Sequence, residues 1–536
     1  MTLGVTRRDF LQHSLLAASA AAVTGAFHPL FAAEKPGKSA NDKLSVAVIG
    51  VRGRGQSHIR AFTNRSDCEL TYICDADREV GEACAKKLGT KLAREPKFVE
   101  DMRRIFDDPT VDIVSVATPN HWHALAAIWA MQAGKDVYLE KPVSHNICEG
   151  RRLIQVSRKY NRICQAGTQK RSLAYNQEAA RYVAAGKLGK IKLAHCYTYR
   201  LRQPIGPAGD YPVPPSVNYD LWAGPAPMGK VKRQQFHYDW HWFWDYGNGE
   251  IGNNSIHAVD TMRQILNLDG LGKSVLCYGG RVQFNDAGET ANIQVAVHDF
   301  NGLTVVQEVR NLKTAAAPGT VVIVGTKGRM VCGAKSNTVY DLQGKVVAEL
   351  SGAASESTEV TQSKGKHRED FGSLDDQHFA NFLQAVRSRK RQEQIAEISQ
   401  GVNSTALCHL GNISYRLGKP VAPAEIRDAL GALQADPSVI ETFDAVRKHL
   451  ADNGVDIEKE RLSLGPCLKI DSAAEKFIGN PAADALLTRE YRKPFVVPTA
   501  EELGVDAAAS EASMEGTIRG HKFPRRHRRL RLRRAH

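Results

Sequence analysis

The run Gly50-Val51-Arg52-Gly53-Arg54-Gly55 follows directly on the apolar stretch Ser45 to Ile49 and leads into a helical segment, and Asp75 closes the next apolar stretch. That order suits dinucleotide binding. In the G-x-G-x-x-G pattern the first glycine makes a tight turn, the second lets the backbone approach a pyrophosphate and the third lets the helix pack closely. Gly50 and Gly55 match the first and third positions; the second is Arg52, with Gly53 beside it to supply flexibility. A carboxylate at Asp75 would accept hydrogen bonds from an adenosine ribose, which favours NAD. Arg52 and Arg54 keep NADP open, because guanidinium groups can hold a 2′-phosphate.

The elements that must position this turn are βαβ units. Short apolar strands at Leu44 to Ile49, Glu69 to Cys74, Val111 to Ala117 and Asp136 to Glu140 alternate with helical periods near 57–63, after Asp77 and near 121–133. This spacing predicts a doubly wound α/β domain with a parallel sheet over 44–165. After Gly167 strand-like runs (Ile191 to Tyr199, Ser274 to Phe284, Ala291 to Phe300, Leu303 to Arg310) follow one another across turns, and two helical stretches near 375–387 and 398–417 come after them. An α+β domain with a large, mostly antiparallel open sheet is expected over 166–420. An extension over 421–500, with helices near 424–433 and 437–450, has no role assigned by its sequence.

Thr118-Pro119-Asn120-His121-Trp122-His123 and Glu140-Lys141-Pro142 resemble the glucose-fructose oxidoreductase and inositol dehydrogenase family (Gfo/Idh/MocA), over about residues 44–419. The resemblance implies an NAD(P)-dependent oxidoreductase acting on sugars, inositols or related polyols. It places Lys141 at the substrate alcohol and the nicotinamide, and it places Thr118, Asn120, His123 and Glu140 with Gly50, Arg52, Gly53, Gly55 and Asp75 around the cofactor. A partly desolvated ammonium at a strand end suits stabilisation of a developing alkoxide; the competing reading is a surface lysine before a proline turn. Gly247 to Asp260 is similar to the family's D-x-x-x-H segment, with His257 as the histidine and Asn253 where many members have Asp. An Asn can orient a hydroxyl but cannot take a proton, so proton exchange falls to His257 and Lys141. A helix-capping Asn beside a packed His is the structural alternative. Gln169, Arg171 and Asp260 are the expected substrate contacts, a solvated turn being the alternative for the basic residues there.

Phe236 to Tyr246, the most aromatic stretch of the chain, could stack on sugar rings or serve as core. His237 and His241 lack H-E-x-x-H and a third ligand, and the ten cysteines show no C-x-x-C pair, so no metal site is expected. A homo-oligomer is expected from the resemblance, its subunits burying the wide sheet face.

The 536 residues carry 42% hydrophobic and 24% charged residues, which excludes wholesale disorder, and no apolar run reaches the length of a membrane span. Nine Lys or Arg within 519–536 account for most of the net charge of +14, so the basic balance describes a tail over 501–536 rather than a nucleic-acid-binding body. Thr6-Arg7-Arg8-Asp9-Phe10-Leu11, followed by a mild apolar stretch, resembles a twin-arginine export signal over 1–33 with a linker over 34–43. The twin-arginine machinery and a periplasmic location are expected on that basis. Two further functional readings stand beside a polyol oxidoreductase: a glycosidase-type enzyme that oxidises its sugar transiently with retained NAD, and a non-catalytic carbohydrate- or nucleotide-binding protein on the same fold.

Overall fold

A computed structural model describes residues 42–352 and 372–505; the segment expected as an export signal, 1–33, and all but the first five residues of the expected tail over 501–536 lie outside the described residues. Six strands, β1 (Leu44–Ile49), β2 (Cys68–Cys74), β3 (Lys97–Val99), β4 (Ile113–Val116), β5 (Asp136–Leu139) and β6 (Cys164–Ala166), form a parallel sheet in the order β3-β2-β1-β4-β5-β6. Residues in β4 and β5 are all buried, as crossover helices on both faces require. Those helices are α1 (Gly55–Thr63), α2 (Arg78–Gly89), α3 (Arg103–Phe106), α4 (Asn120–Gln132) and α5 (Ile147–Lys159). The order is that of a Rossmann domain, whose ligand crevice lies outside the strands' carboxyl ends where the winding reverses, here between β1 and β4.

The second sheet is mixed and mostly antiparallel. It contains β7 (Ile191–Tyr199), β8 (Ser274–Gly280), β9 (Ile293–Phe300), β10 (Leu303–Arg310), β11 (Val321–Gly325), β12 (Gly328–Cys332), β13 (Asn337–Tyr340) and β14 (Val346–Leu350), with β7 and β10 as its parallel pair. The chain also forms α6 (Ala174–Ala184), α7 (Tyr219–Ala223), α8 (Ile256–Leu266), α9 (Gly372–Ser388) and α10 (Ile398–Arg416). Alternation along the strands sorts the two faces: Val275, Cys277 and Ala296 pack with Ala406, Leu410 and Ile413 of α10, while Leu276, Tyr278, Ile293, Val295 and Val297 point to the other side.

That other side is where the extension lies. Strands β15 (Lys419–Pro420), β16 (Ser463–Leu464), β17 (Leu468–Asp471) and β18 (Lys476–Phe477) belong to it, and β16 and β17 both pair with β8, closing that edge of the sheet. Its helices α11 (Pro423–Gly431) and α12 (Ser438–Asp452) lay Ile426, Leu430, Val439, Phe443, Val446 and Leu450 on the outer face. Over β8, β9 and β10 the face expected to meet a second subunit is therefore covered by the chain's own residues. After α13 (Pro481–Ala485) the chain returns to the Rossmann domain, where Phe495 packs edge-on to Trp122 at 5.4 Å and Val497 and Leu503 join the same core. This strap explains why α4 is apolar almost all round: its outward side is not left to water.

Phe443 is fully buried and sits edge-on to Tyr278 at 5.5 Å. Phe443→Ala is expected to lower unfolding free energy by about 3–5 kcal/mol in denaturant titration; a loss below about 1 kcal/mol would mean that the extension does not seal the sheet.

Candidate active site

The glycine turn is tight because neighbouring backbone leaves no room for side chains. Gly50 has φ +80°, and a Cβ there would stand 2.7 Å from the Ala117 carbonyl oxygen. At Gly55 a Cβ would overlap the Gly50 carbonyl oxygen at 1.9 Å, so α1 begins directly against the turn. Arg52, at the departing second position, turns its half-exposed side chain outward, 3.8 Å from Asp77. Asp75 accepts the Val51 N–H at 3.0 Å and the Asp77 N–H at 3.0 Å, and burial raises its pKa above the ordinary value. It thus stands at the end of β2 with carboxylate lone pairs still available.

Arg54 does not serve a 2′-phosphate. Its Nε donates to Glu140 at 2.6 Å and its two terminal nitrogens donate to Asp375 at 2.7 and 2.8 Å. Of the two arginines that kept NADP open, only Arg52 remains near the ribose end, beside the two carboxylates Asp75 and Asp77.

Glu140, at the end of β5, is buried and fully engaged. It accepts from Arg54, from His58 Nε2 at 3.1 Å and from the Lys141 backbone N–H at 3.1 Å. Burial pushes its carboxyl upward, but the Arg54 charge and the His58 hydrogen bond hold it well below the carboxylate range. Lys141, joined to Pro142 by a cis peptide bond, donates from Nζ to the Asn253 carbonyl oxygen at 2.7 Å. Burial, reinforced by the charges of Arg54 and Arg200, lowers its pKa against the opposing pull of Glu140 and Glu250. Asn253 lies on a π-helical turn, Ile251–Ser255, that runs straight into α8. Such turns recur at functional sites because they re-aim the side chains that follow.

His257 begins α8. Its Nδ1 is buried without a hydrogen-bond partner among the described residues, and burial, with Lys141 and Lys170 nearby, drives its pKa well below the ordinary histidine value. A neutral imidazole with a free ring nitrogen can exchange a proton. Lys141 and His257 are therefore brought into one electrostatic neighbourhood, and it is the main-chain carbonyl of Asn253, where a side-chain role was expected, that fixes the ammonium.

Other expected residues serve as supports. Arg171 Nε donates to both oxygens of Asp260 at 2.9 and 2.8 Å, and Ser404 Oγ donates to the same carboxylate at 2.7 Å. Arg171 and Asp260 were expected at the substrate, yet the Asp260 carboxylate is taken up by Arg171 Nε and Ser404 within the protein and anchors α8, while Arg171 Nη2 stays buried with no hydrogen-bond partner among the described residues. Asn120 donates to Asn248 at 3.2 Å, and His123 sits between the carbonyl oxygens of Pro142, 2.6 Å away, and Thr118, 2.8 Å away. Gln169 is buried next to the turn, bridging the Gly167 carbonyl and Arg54 once its amide is oriented to satisfy both. Thr118 Oγ1 is buried beside the glycine turn with no hydrogen-bond partner among the described residues.

The aromatic stretch is largely core. Trp222, Phe236 and Tyr246 surround the buried guanidinium of Arg233 at 4.7, 4.7 and 5.1 Å, and Trp240 and Phe243 join the same cluster. His237 pairs with Asp77 at 2.9 Å, and His241 stacks on Trp240 at 3.7 Å, with burial holding its pKa down to about 3. Tyr238 stays exposed, its hydroxyl accepting from Arg202, which also forks onto the buried Glu250. The lobe clasps the Rossmann domain: Val217 bridges Asp77, and Trp122 Nε1 donates to the Leu221 carbonyl at 2.9 Å. His58, Arg202, Glu250 and Asp375 carried no sequence signal, since each lies far along the chain from its partner.

The pieces on hand fit NAD: a turn whose glycines cannot take a Cβ, an unpartnered buried hydroxyl at Thr118, and a carboxylate at the end of β2. Comparison with known proteins agrees. Residues 44–168 match the model of the oxidoreductase family with an NAD-binding Rossmann fold, and residues 207–379 match that family's C-terminal alpha/beta domain. The chain belongs to the Gfo/Idh/MocA oxidoreductase family. It is 31% identical over 165 residues to inositol 2-dehydrogenase 1 of Saccharopolyspora erythraea, covering 28% of this chain and 45% of that protein. A glycosyl hydrolase family 109 protein of Shewanella pealeana is 28% identical over 177 residues, covering 30% of this chain and 38% of that protein. The matched region thus spans less than half the length of either relative. Levoglucosan dehydrogenase in complex with NADH shares the fold, with a TM-score of 0.52 at 17% identity over 69% of this chain and 97% of that one.

With Arg54 committed and two carboxylates at the ribose end, NAD is expected to bind tighter than NADP by about tenfold or more in calorimetric titration, the weight of one charged contact. Asp75→Asn should narrow that ratio; equal affinities in the unaltered chain would contradict the reading of the turn.

Proposed function

We propose that the chain is an NAD-dependent dehydrogenase or reductase acting on a sugar, inositol or related polyol, and that it works in the periplasm after twin-arginine export. The observation that carries the catalytic part is the pairing of a desolvated Lys141 ammonium, tied to the Asn253 carbonyl, with a neutral His257 whose Nδ1 is free. The relatives named for inositol and levoglucosan dehydrogenases support the substrate class. Export is supported by the Arg7-Arg8 signal, and ten free cysteines suit a protein that folds in a reducing compartment first.

In this reading NAD, when bound along the glycine turn, supplies the acceptor for hydride from the alcohol carbon. His257 takes the hydroxyl proton as the carbon is oxidised and returns it in the reverse direction. Lys141 keeps its ammonium against the reacting oxygen, where fixed positive charge stabilises the developing alkoxide without reorganisation. Neither group needs Asn253 to exchange a proton.

A second reading is favoured by the similarity to the family 109 glycosyl hydrolase protein: oxidation, elimination of a glycosidic substituent and re-reduction with no net change in NAD. Release of an aglycone without NADH absorbance separates it from simple oxidation.

For the leading reading, Lys141→Ala should lower kcat on a responsive polyol by about 10²–10³-fold while NAD still binds. Because His257 is held neutral, protonation overtakes it only as pH falls below the ordinary histidine value near 6.5, so the acidic limb of kcat/KM should lie under that pH. An acidic limb above about pH 7 would contradict that assignment.

A further inference from the structure

Helix α9 comes from the far side of the second sheet in sequence, yet it is built into the Rossmann domain. Phe379 stacks on Tyr138 of β5 at 4.0 Å and meets Phe62 of α1 edge-on at 5.1 Å. His378 Nδ1 lies 2.8 Å from Ser172 Oγ and its Nε2 lies 2.9 Å from the Ala166 carbonyl oxygen. This packing leaves little freedom to the first turn of the helix, which carries Asp375, only 4% exposed.

Asp375 receives both terminal nitrogens of Arg54, a fork-on-fork pair in which each carboxylate oxygen takes one N–H. With those two nitrogens fixed, the plane of the guanidinium is fixed, and its third nitrogen, Nε, donates to Glu140. Glu140 in turn accepts the Lys141 backbone N–H, and Lys141 reaches the carbonyl that precedes His257 by four residues. Orientation therefore passes from α9 through Arg54 and Glu140 to the ammonium. A lysine in place of Arg54 could keep the charge but could not hold both carboxylates in one plane.

We infer that Asp375 is a positioning residue for the reaction proposed above: through Arg54 and Glu140 it sets where the Lys141 ammonium points, without touching substrate or cofactor itself. The inference rests on that functional reading. It goes beyond it by giving a residue outside every sequence motif a defined part in the chemistry, and by making Arg54, which lies in the cofactor turn, a structural member of the lysine's surroundings. A helix that only packed against the sheet would need Phe379, Phe382 and Leu383; it would not need a buried carboxylate facing an arginine from another element.

The test uses the full chain with Asp375→Asn, Asp375→Glu and Arg54→Lys. Three quantities are read: kcat and KM on the best polyol, the Kd for NAD, and the rate at which acetic anhydride labels Lys141 in cofactor-free protein, followed by mass spectrometry. Asp375→Asn and Arg54→Lys should each lower kcat by about tenfold or more, as expected for a misdirected group, with KM and the NAD Kd within about threefold of the parent. Both should also change the Lys141 labelling rate, and Asp375→Glu, which keeps the charged acceptor, should recover most of the loss. Should Asp375→Asn not fold, Arg54→Lys carries the comparison. Unchanged kcat and labelling in the folded variants would overturn the inference, as would an Asp375→Glu protein no better than Asp375→Asn, or a loss confined to NAD affinity. If the parent chain turns over no polyol, the functional reading fails, and the labelling rates alone decide whether Asp375 orients Lys141.

Discussion

A carboxylate buried at the end of a parallel strand is tolerable only if it is supplied with donors, and Glu140 is where this fold meets that condition. Its donors come from three places: Arg54 in the glycine turn, His58 on α1 and the amide of Lys141. Satisfying one acid thus ties the cofactor turn, the first crossover helix and the lysine into one arrangement. Asp375 holds the far end of Arg54, and the Asn253 carbonyl receives the far end of Lys141, so the same chain of polar contacts reaches α9 on one side and α8 on the other. Removing any donor would strand charge in the interior, a larger penalty than the loss of a surface pair.

Around this polar line the apolar elements decide how rigidly the domains meet. The extension lays α11 and α12 on the outer sheet face, adds β16 and β17 to the β8 edge, and then returns as a strap that buries Phe495 against Trp122. The aromatic lobe adds a second set of contacts: its own core is set around Arg233, and His237 and Val217 fasten it to Asp77. An aromatic run suited to sugar stacking is thereby spent mostly on holding the cofactor side of the crevice in shape, with Tyr238 left at the surface.

Much of this was legible in the residues themselves. Strand spacing, the Gly50 to Gly55 turn and Asp75 announce the parallel domain because they are local signals read by period and turn chemistry. The runs after Gly167 likewise announce an antiparallel sheet. Hidden from that reading were contacts whose partners lie hundreds of residues apart. Nothing near Arg54 says that Asp375 will claim it, and nothing near Asp260 says that Arg171 and Ser404 will consume its oxygens. Both arginines read as ligand-binding groups in the sequence because a charge is assumed free until its partner is known. The short strands β15 to β18 escaped for a different reason: two to four residues carry too little periodicity to register, and the pairing of β16 and β17 with β8 is purely tertiary.

Hydride transfer between a carbinol carbon and nicotinamide at the Lys141–His257 site is tested most directly with a responsive polyol deuterated at the oxidised carbon, followed by mass spectrometry of nicotinamide and sugar after a single turnover. Deuterium appearing in the nicotinamide ring, and absent from it with Lys141→Ala, is the expected result. Product formed by the parent chain with no deuterium ever passing through the nicotinamide would contradict it.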